Sequence, residues 1–185
     1  MKKLVGVLAI LAAIVGVCLF SYTYTKNDKT LVAFFSATGN TKSVAEKLAG
    51  AINADLFEIK PEQVYTVDDL NWHNDKSRSS VEMADMNSRP VIASKVENFA
   101  QYKTVFIGFP IWWGREPAII NSFMESYDFA GKTVIPFATS GSTPTTNEAA
   151  ANIQKLAPKA KVLMGKRFPV DVSKDELKLW ADGQK

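Results

Sequence analysis

The stretch FFSATGNTKSVAEKL, Phe34 to Leu48, passes from an apolar run through five small or polar residues into a helical pattern. The run Leu31 to Phe35 is short and wholly apolar, as a strand buried on both faces is. Val44, Leu48 and Ile52 then recur every four residues, which predicts a helix from about Thr41. A turn that leaves a buried strand and opens a helix gathers its N–H groups at the carboxyl edge of the sheet, and that makes an anion site. Ser36, Thr38 and Thr41 add hydroxyls, Asn40 an amide, and Gly39 lets the backbone come close, while no Lys or Arg lies between Ser36 and Thr41. The triphosphate signature Gly-x-x-x-x-Gly-Lys-Ser/Thr is missing, and so is the dinucleotide signature Gly-x-Gly-x-x-Gly. Taken alone, the turn reads better as an ordinary Ser/Thr helix cap than as an anion site. Its neighbours decide.

Outward from it, apolar runs return at Leu56 to Ile59, Thr104 to Phe109, Thr133 to Ala138 and Val162 to Met164. Helix patterns separate them: Ile119, Phe123 and Met124 after Pro117, and Ile153, Leu156 and Ala157 before Pro158. A last helix over Ser173 to Trp180 carries a capping box in Ser173 and Glu176. Strand and helix in alternation predict an α/β fold, a doubly wound parallel sheet covered on both faces. Pro61 to Pro90 breaks the beat. It is polar, holds Trp72, His73, Arg78, Glu82 and Arg89, and is long for a plain crossover, so a functional segment or a lid competes with a solvated, salt-bridged loop.

Two further loops fall at the carboxyl edge. Gly108 to Gly114 reads GFPIWWG, and two large aromatics beside a proline there suit a flat apolar ligand as well as plain packing. Ala138 to Thr146 reads ATSGSTPTT, small residues that offer backbone groups. The three loops together give a phosphate pocket, an aromatic wall and a polar rim.

The chain of 185 residues, 46% hydrophobic and 22% charged, has room for one domain and its core. Its net charge of +3 is misleading. The 22 basic residues include Lys2, Lys3, Lys26 and Lys29 ahead of the domain, the 19 acidic ones only Asp28, which leaves eighteen of each from Thr30 onward. A neutral body has no footprint for nucleic acid. One Cys, Cys18, and one His, His73, cannot build a disulfide or a Cys/His metal cage, so no metal is expected, and Cys/His catalysis is close to excluded. Residues 1–29 are different material: Leu4 to Phe20 are seventeen uncharged, mostly aliphatic residues behind Lys2 and Lys3. A retained membrane anchor, a signal cleaved near Ser21-Tyr22-Thr23, and lipidation at Cys18 all remain open, and each puts the domain of residues 30–185 outside the cytoplasm.

SATGNT after LVAFF, the loop GFPIWWG, the phrase ESYDFAGKTVIPF and the segment SRSSVEMADMNSRP together resemble the flavodoxin family, in particular its exported bacterial branch, over about residues 30 to 180. The resemblance implies a five-stranded parallel sheet in the order 2-1-3-4-5, with helices on both faces and FMN held noncovalently where the strand order reverses. It implies that the turn Ser36, Ala37, Thr38, Gly39, Asn40 and Thr41 binds the FMN phosphate. Pro110, Ile111, Trp112, Trp113 and Gly114 would border the isoalloxazine ring, one tryptophan stacking on it, and Thr139, Ser140, Gly141 and Ser142 would close the other side. Relatives often carry a second glycine or an aromatic where this chain has SGSTPTT, so the residue shielding the outer ring face is open. Familiar flavodoxins are strongly acidic, whereas this body is neutral, and no partner selected by charge is expected.

The leading expectation is an electron-transfer protein on the extracytoplasmic side of the membrane, with no catalytic side chain and an unspecified redox partner. A flavin-dependent reductase of quinones or small acceptors is the alternative, with Trp72, His73 and Arg78 on the substrate side and His73 as proton donor. A domain that binds flavin without redox work is the third.

Overall fold

The computed structural model describes residues 29–140 and 146–184; the leader, Gly141 and Ser142 lie outside the described residues. β1 (Lys29–Phe34), β2 (Asp55–Glu58), β3 (Tyr102–Pro110), β4 (Thr133–Thr139), β5 (Lys161–Val162) and β6 (Lys166–Phe168) form one parallel sheet, ordered β2-β1-β3-β4 with β5 and β6 both on the outer edge of β4. This is the order 2-1-3-4-5 that the family resemblance implied. The helices are α1 (Asn40–Ile52), α2 (Arg78–Ala84), α3 (Ala118–Glu125), α4 (Asn147–Leu156) and α5 (Lys174–Asp182).

Alternation along the strands divides the core. Leu31, Ala33 and Phe35 join Val105, Ile107 and Phe109 under Ile119 and Phe123 of α3 and Ile153 of α4. Val32 and Phe34 point the other way with Phe106, Ile135 and Phe137, beneath Val44 and Leu48 of α1 and Leu177 of α5. Every second residue serves the same face, so an uninterrupted apolar strand supplies both layers at once.

The fifth strand departs from expectation. A single strand over Val162 to Met164 is replaced by β5 and β6, because Val134 pairs with Val162 while Phe137 pairs with Lys166. Three steps on β4 thus face four on its neighbour, which is a bulge. Pro136 is the reason. Val134 O accepts from Leu163 N, so Pro136, two residues on, faces the same edge and has no N–H to offer. The chain bows there and Gly165 presses against the Pro136 carbonyl. The capping box is half formed: Ser173 Oγ accepts from Glu176 N at 3.1 Å, but the Glu176 carboxylate pairs with Lys166 at 3.1 Å instead of returning to the cap. Among the described residues no helix is long and apolar enough to cross a membrane.

Candidate functional site

The turn after β1 lies at the carboxyl edge, where β1 and β3 diverge. Gly39 is the N-cap of α1 with φ 89°, and no side chain caps the helix. The first-turn N–H groups of α1 are therefore left to solvent or a ligand. Thr38 and Asn40 border an open cleft, whereas Thr41 is buried and its Oγ1 lies 2.8 Å from Thr139 Oγ1 at the end of β4. Ser36 Oγ is buried and has no hydrogen-bond partner among the described residues. The sequence placed all these residues in one site. The structure sorts them into two cleft residues, a cross-link and an orphaned hydroxyl.

Opposite stands the loop after β3. Trp112 N donates to Arg115 O and Arg115 N to Trp112 O, each at 3.0 Å, and Trp113 and Gly114 between them have φ 48° and 86°. Left-handed backbone at both central positions marks a type I′ turn, which ordinarily takes Asn-Gly. A tryptophan there is strained, and such strain gathers at functional positions. The two tryptophans part company as a result. Trp112 packs edge-on against Phe35 and Tyr65, both at 5.5 Å, while Trp113 is 51% exposed over the cleft.

The cleft measures about 870 Å³. Ala37, Pro110, Ile111, Trp112, Trp113, Thr139 and Ser140 border it as the resemblance implied, and Leu70, Trp72, Ser79 and Arg167–Val170 are additions. Of the substrate-side trio read from the sequence, only Trp72 lines it. His73 stacks on Trp72 with ring centroids 3.5 Å apart. Arg78 is turned away, its guanidinium 4.1 Å over the Tyr65 ring and its Nε donating to Glu82 at 2.6 Å. Tyr65 donates its hydroxyl to Glu82, and burial first, then that hydrogen bond, pushes the phenol up. Arg89 grips Glu125 with two hydrogen bonds of 2.8 and 2.7 Å. The long segment is thus a braced wall whose near end supplies Leu70, Trp72 and Ser79.

Behind Trp113, Arg115 and Glu116 are buried, an arrangement the sequence did not reveal. Arg115 Nη2 donates to Met83 O at 2.8 Å and so ties α2 to the aromatic turn. Its approach to Glu116 is loose, 3.8 Å, and Asn152 donates to both Glu116 oxygens at 3.3 Å. Burial raises the Glu116 carboxyl above its ordinary range; its backbone hydrogen bond, Asn152 and Arg115 oppose that only in part. The folded state therefore holds this proton more tightly than the unfolded chain. Its contribution to stability is full below the ordinary glutamate range and is lost as pH rises through the raised value. Glu116→Gln, which still accepts from Asn152, is expected to gain stability relative to the wild type in urea unfolding as pH rises above the ordinary glutamate range. A variant that loses ground as pH rises would show the Arg115 ion pair to dominate.

With this geometry in hand, relatives are informative. The family model described as Flavodoxin matches residues 29–184. The fold is similar to that of a Bacteroides uniformis protein provisionally described as a flavoprotein, 48% identical over 84% of this chain and 99% of that one, TM-score 0.79. A Bacteroides eggerthii protein described in the same way is 46% identical over 85% of this chain and 98% of that one, TM-score 0.80. A Lactobacillus acidophilus flavoprotein in complex with FMN shares the fold at 22% identity, over 83% of this chain and 99% of that one, TM-score 0.63. No curated protein matches the chain. A doubly wound sheet with this cleft at its strand reversal, a family match across the described domain and two close structural relatives lead to one conclusion: the chain belongs to the flavodoxin family.

Proposed function

We propose that the protein binds FMN in the cleft and works as an electron carrier on the extracytoplasmic side of the membrane. The observation that carries the reading is the meeting, in one cleft, of an uncapped helix start, with Thr38 and Asn40 on its border, and a strained, exposed tryptophan. The donor set fits the cofactor. First-turn amides of α1, Thr38 and Asn40 suit the phosphate, and Trp113 with Ile111 and Pro110 suits the ring. Bound FMN would supply reversible one- or two-electron chemistry. The chain's own part is to hold the cofactor, exclude water from one ring face, and offer backbone groups of the 113–114 turn to the ring edge. Among the described residues no acid or base side chain lines the cleft, which favours a carrier over an enzyme that must move protons. The apolar leader is what supports the location. Trp72 at the mouth keeps a second reading open, reduction of a small flat acceptor stacked beside it.

Purified full-length protein should take up FMN, show its yellow absorbance, and undergo reversible photoreduction without turning over NAD(P)H and a quinone. Steady turnover would establish the reductase, and a protein that stays colourless with FMN would remove both readings. Trp113→Asn should act in opposite directions. Relief of the left-handed strain is expected to stabilise flavin-free protein by about 1 kcal/mol, while loss of the stacking surface weakens flavin roughly tenfold. Denaturant unfolding and fluorescence titration read the two effects separately.

A further inference from the structure

The chain has four arginines, and three of them have a carboxylate neighbour: Arg78 with Glu82, Arg89 with Glu125, and Arg115 with Glu116. Arg167 is the fourth. It lies in β6 in register with Ala138, is partly buried, and lines the cleft with Thr38, Asn40, Thr139 and Ser140. It enters no ion pair among the described residues; its Nη1 donates to Ser140 O at 2.8 Å. The rest of the loop after Ser140, Gly141 to Thr145, carries no acidic residue by sequence, and among the described residues no carboxylate lines the cleft. A partly buried guanidinium in an acid-free cleft calls for an anion from outside.

Its place indicates which part of a ligand it meets. Trp72, Trp112 and Trp113 give the cleft its aromatic lining, and Thr38 and Asn40 at the start of α1 give it a polar one. β6 runs alongside α1: Phe168 packs in the same cluster as Val44 of α1, and Lys47 of α1 donates to Val170 O at 2.9 Å. Arg167 starts from the opposite face of the strand, in register with Ala138, and reaches the cleft at the carboxyl edge of β4, where it meets Ser140 O. Thr139 touches Thr41 of α1, and the next residue, Ser140, receives Arg167. Resting on the FMN reading for the identity of the ligand, we infer that Arg167 is a cationic ligand for the phosphomonoester at the α1 turn, so that this phosphate site is not built from neutral donors alone. With Nη1 engaged by Ser140, the remaining N–H groups are available to phosphate oxygens, and the protein should prefer the phosphorylated flavin over riboflavin by a salt-sensitive margin.

Two variants of the full-length protein test this. Arg167→Gln removes the charge and can still donate to Ser140 O; Arg167→Lys keeps the charge and loses the fork. In flavin-free protein, inorganic phosphate should raise the thermal midpoint of the wild type above a chloride control of equal ionic strength, and Arg167→Gln should lose that rise while Arg167→Lys retains part of it. In titrations, Arg167→Gln should weaken FMN about tenfold or more and riboflavin less than about twofold. An equal phosphate response in wild type and Arg167→Gln would overturn the assignment, as would equal weakening of both flavins, which would put Arg167 against the ring or the ribityl chain. Wild type that responds to phosphate through Arg167 but never takes up FMN would overturn the FMN reading and leave the anion site standing. Wild type that answers to neither would overturn both.

Discussion

Gly165→Ala is expected to destabilise the protein by about 3 kcal/mol, lowering the midpoint of chemical unfolding sharply. A β-carbon built on Gly165 would sit 2.3 Å from the Pro136 carbonyl oxygen, 2.6 Å from Thr146 Oγ1 and 2.9 Å from the Pro136 carbonyl carbon. Two of these are backbone atoms of the strand next to the sheet centre, so neither can swing aside. Relief would require β6 to move away from β4, breaking the pairing of Phe137, Ala138 and Thr139 that carries Arg167 to the cleft. Gly50→Ala is the matched control. Nothing lies closer than 4.0 Å to its β-carbon, and the position is inside α1, so this change should stabilise by about 0.5 to 1 kcal/mol. Equal effects at the two positions would show that the crowding at the bulge relaxes at little cost.

The bulge also marks where sequence reading reached its limit. The apolar runs Leu31 to Phe35, Thr104 to Phe109 and Thr133 to Ala138 were enough to place strands, because a strand buried on both faces has a local signature, while their order came from the family resemblance. The split of the fifth strand has none. It arises from a proline on β4 acting on a chain segment about thirty residues later, and only the pairing brings the two together. A proline inside an apolar run was the available signal, since proline within a sheet is confined to edges and bulges. The site divides in the same way. Its loops were legible because each follows a strand, but the roles of neighbours were not. Trp112 and Trp113 are adjacent in sequence and both line the cleft, but a turn whose type runs against residue preference packs the first edge-on against the core, partly buried, and leaves the second exposed. Arg167 was missed for a related reason. It sits in a short polar piece, KRF, that has no apolar run to advertise a strand, so nothing local connects it to a turn more than a hundred residues earlier.

That sorting yields the second large effect. The double change Thr38→Ala with Asn40→Ala should weaken FMN about a hundredfold while leaving riboflavin within about twofold, since two hydrogen bonds to a charged group contribute roughly 1.5 to 3 kcal/mol each. Both residues border the cleft and are exposed, so protein stability should hardly change. Thr41→Val should behave in the reverse manner. Thr41 Oγ1 is buried against Thr139 Oγ1, and its loss leaves the Thr139 hydroxyl buried with no partner from α1. About 1 to 3 kcal/mol of stability should go with it, and both flavins should weaken together as the start of α1 loosens from β4. Measured side by side, the two variants separate donors that read the phosphate from a hydroxyl that holds the turn in place. Should Thr38→Ala with Asn40→Ala weaken both flavins equally, the α1 turn would be shaping the cleft as a whole, and recognition of the phosphate would fall to the backbone amides and Arg167.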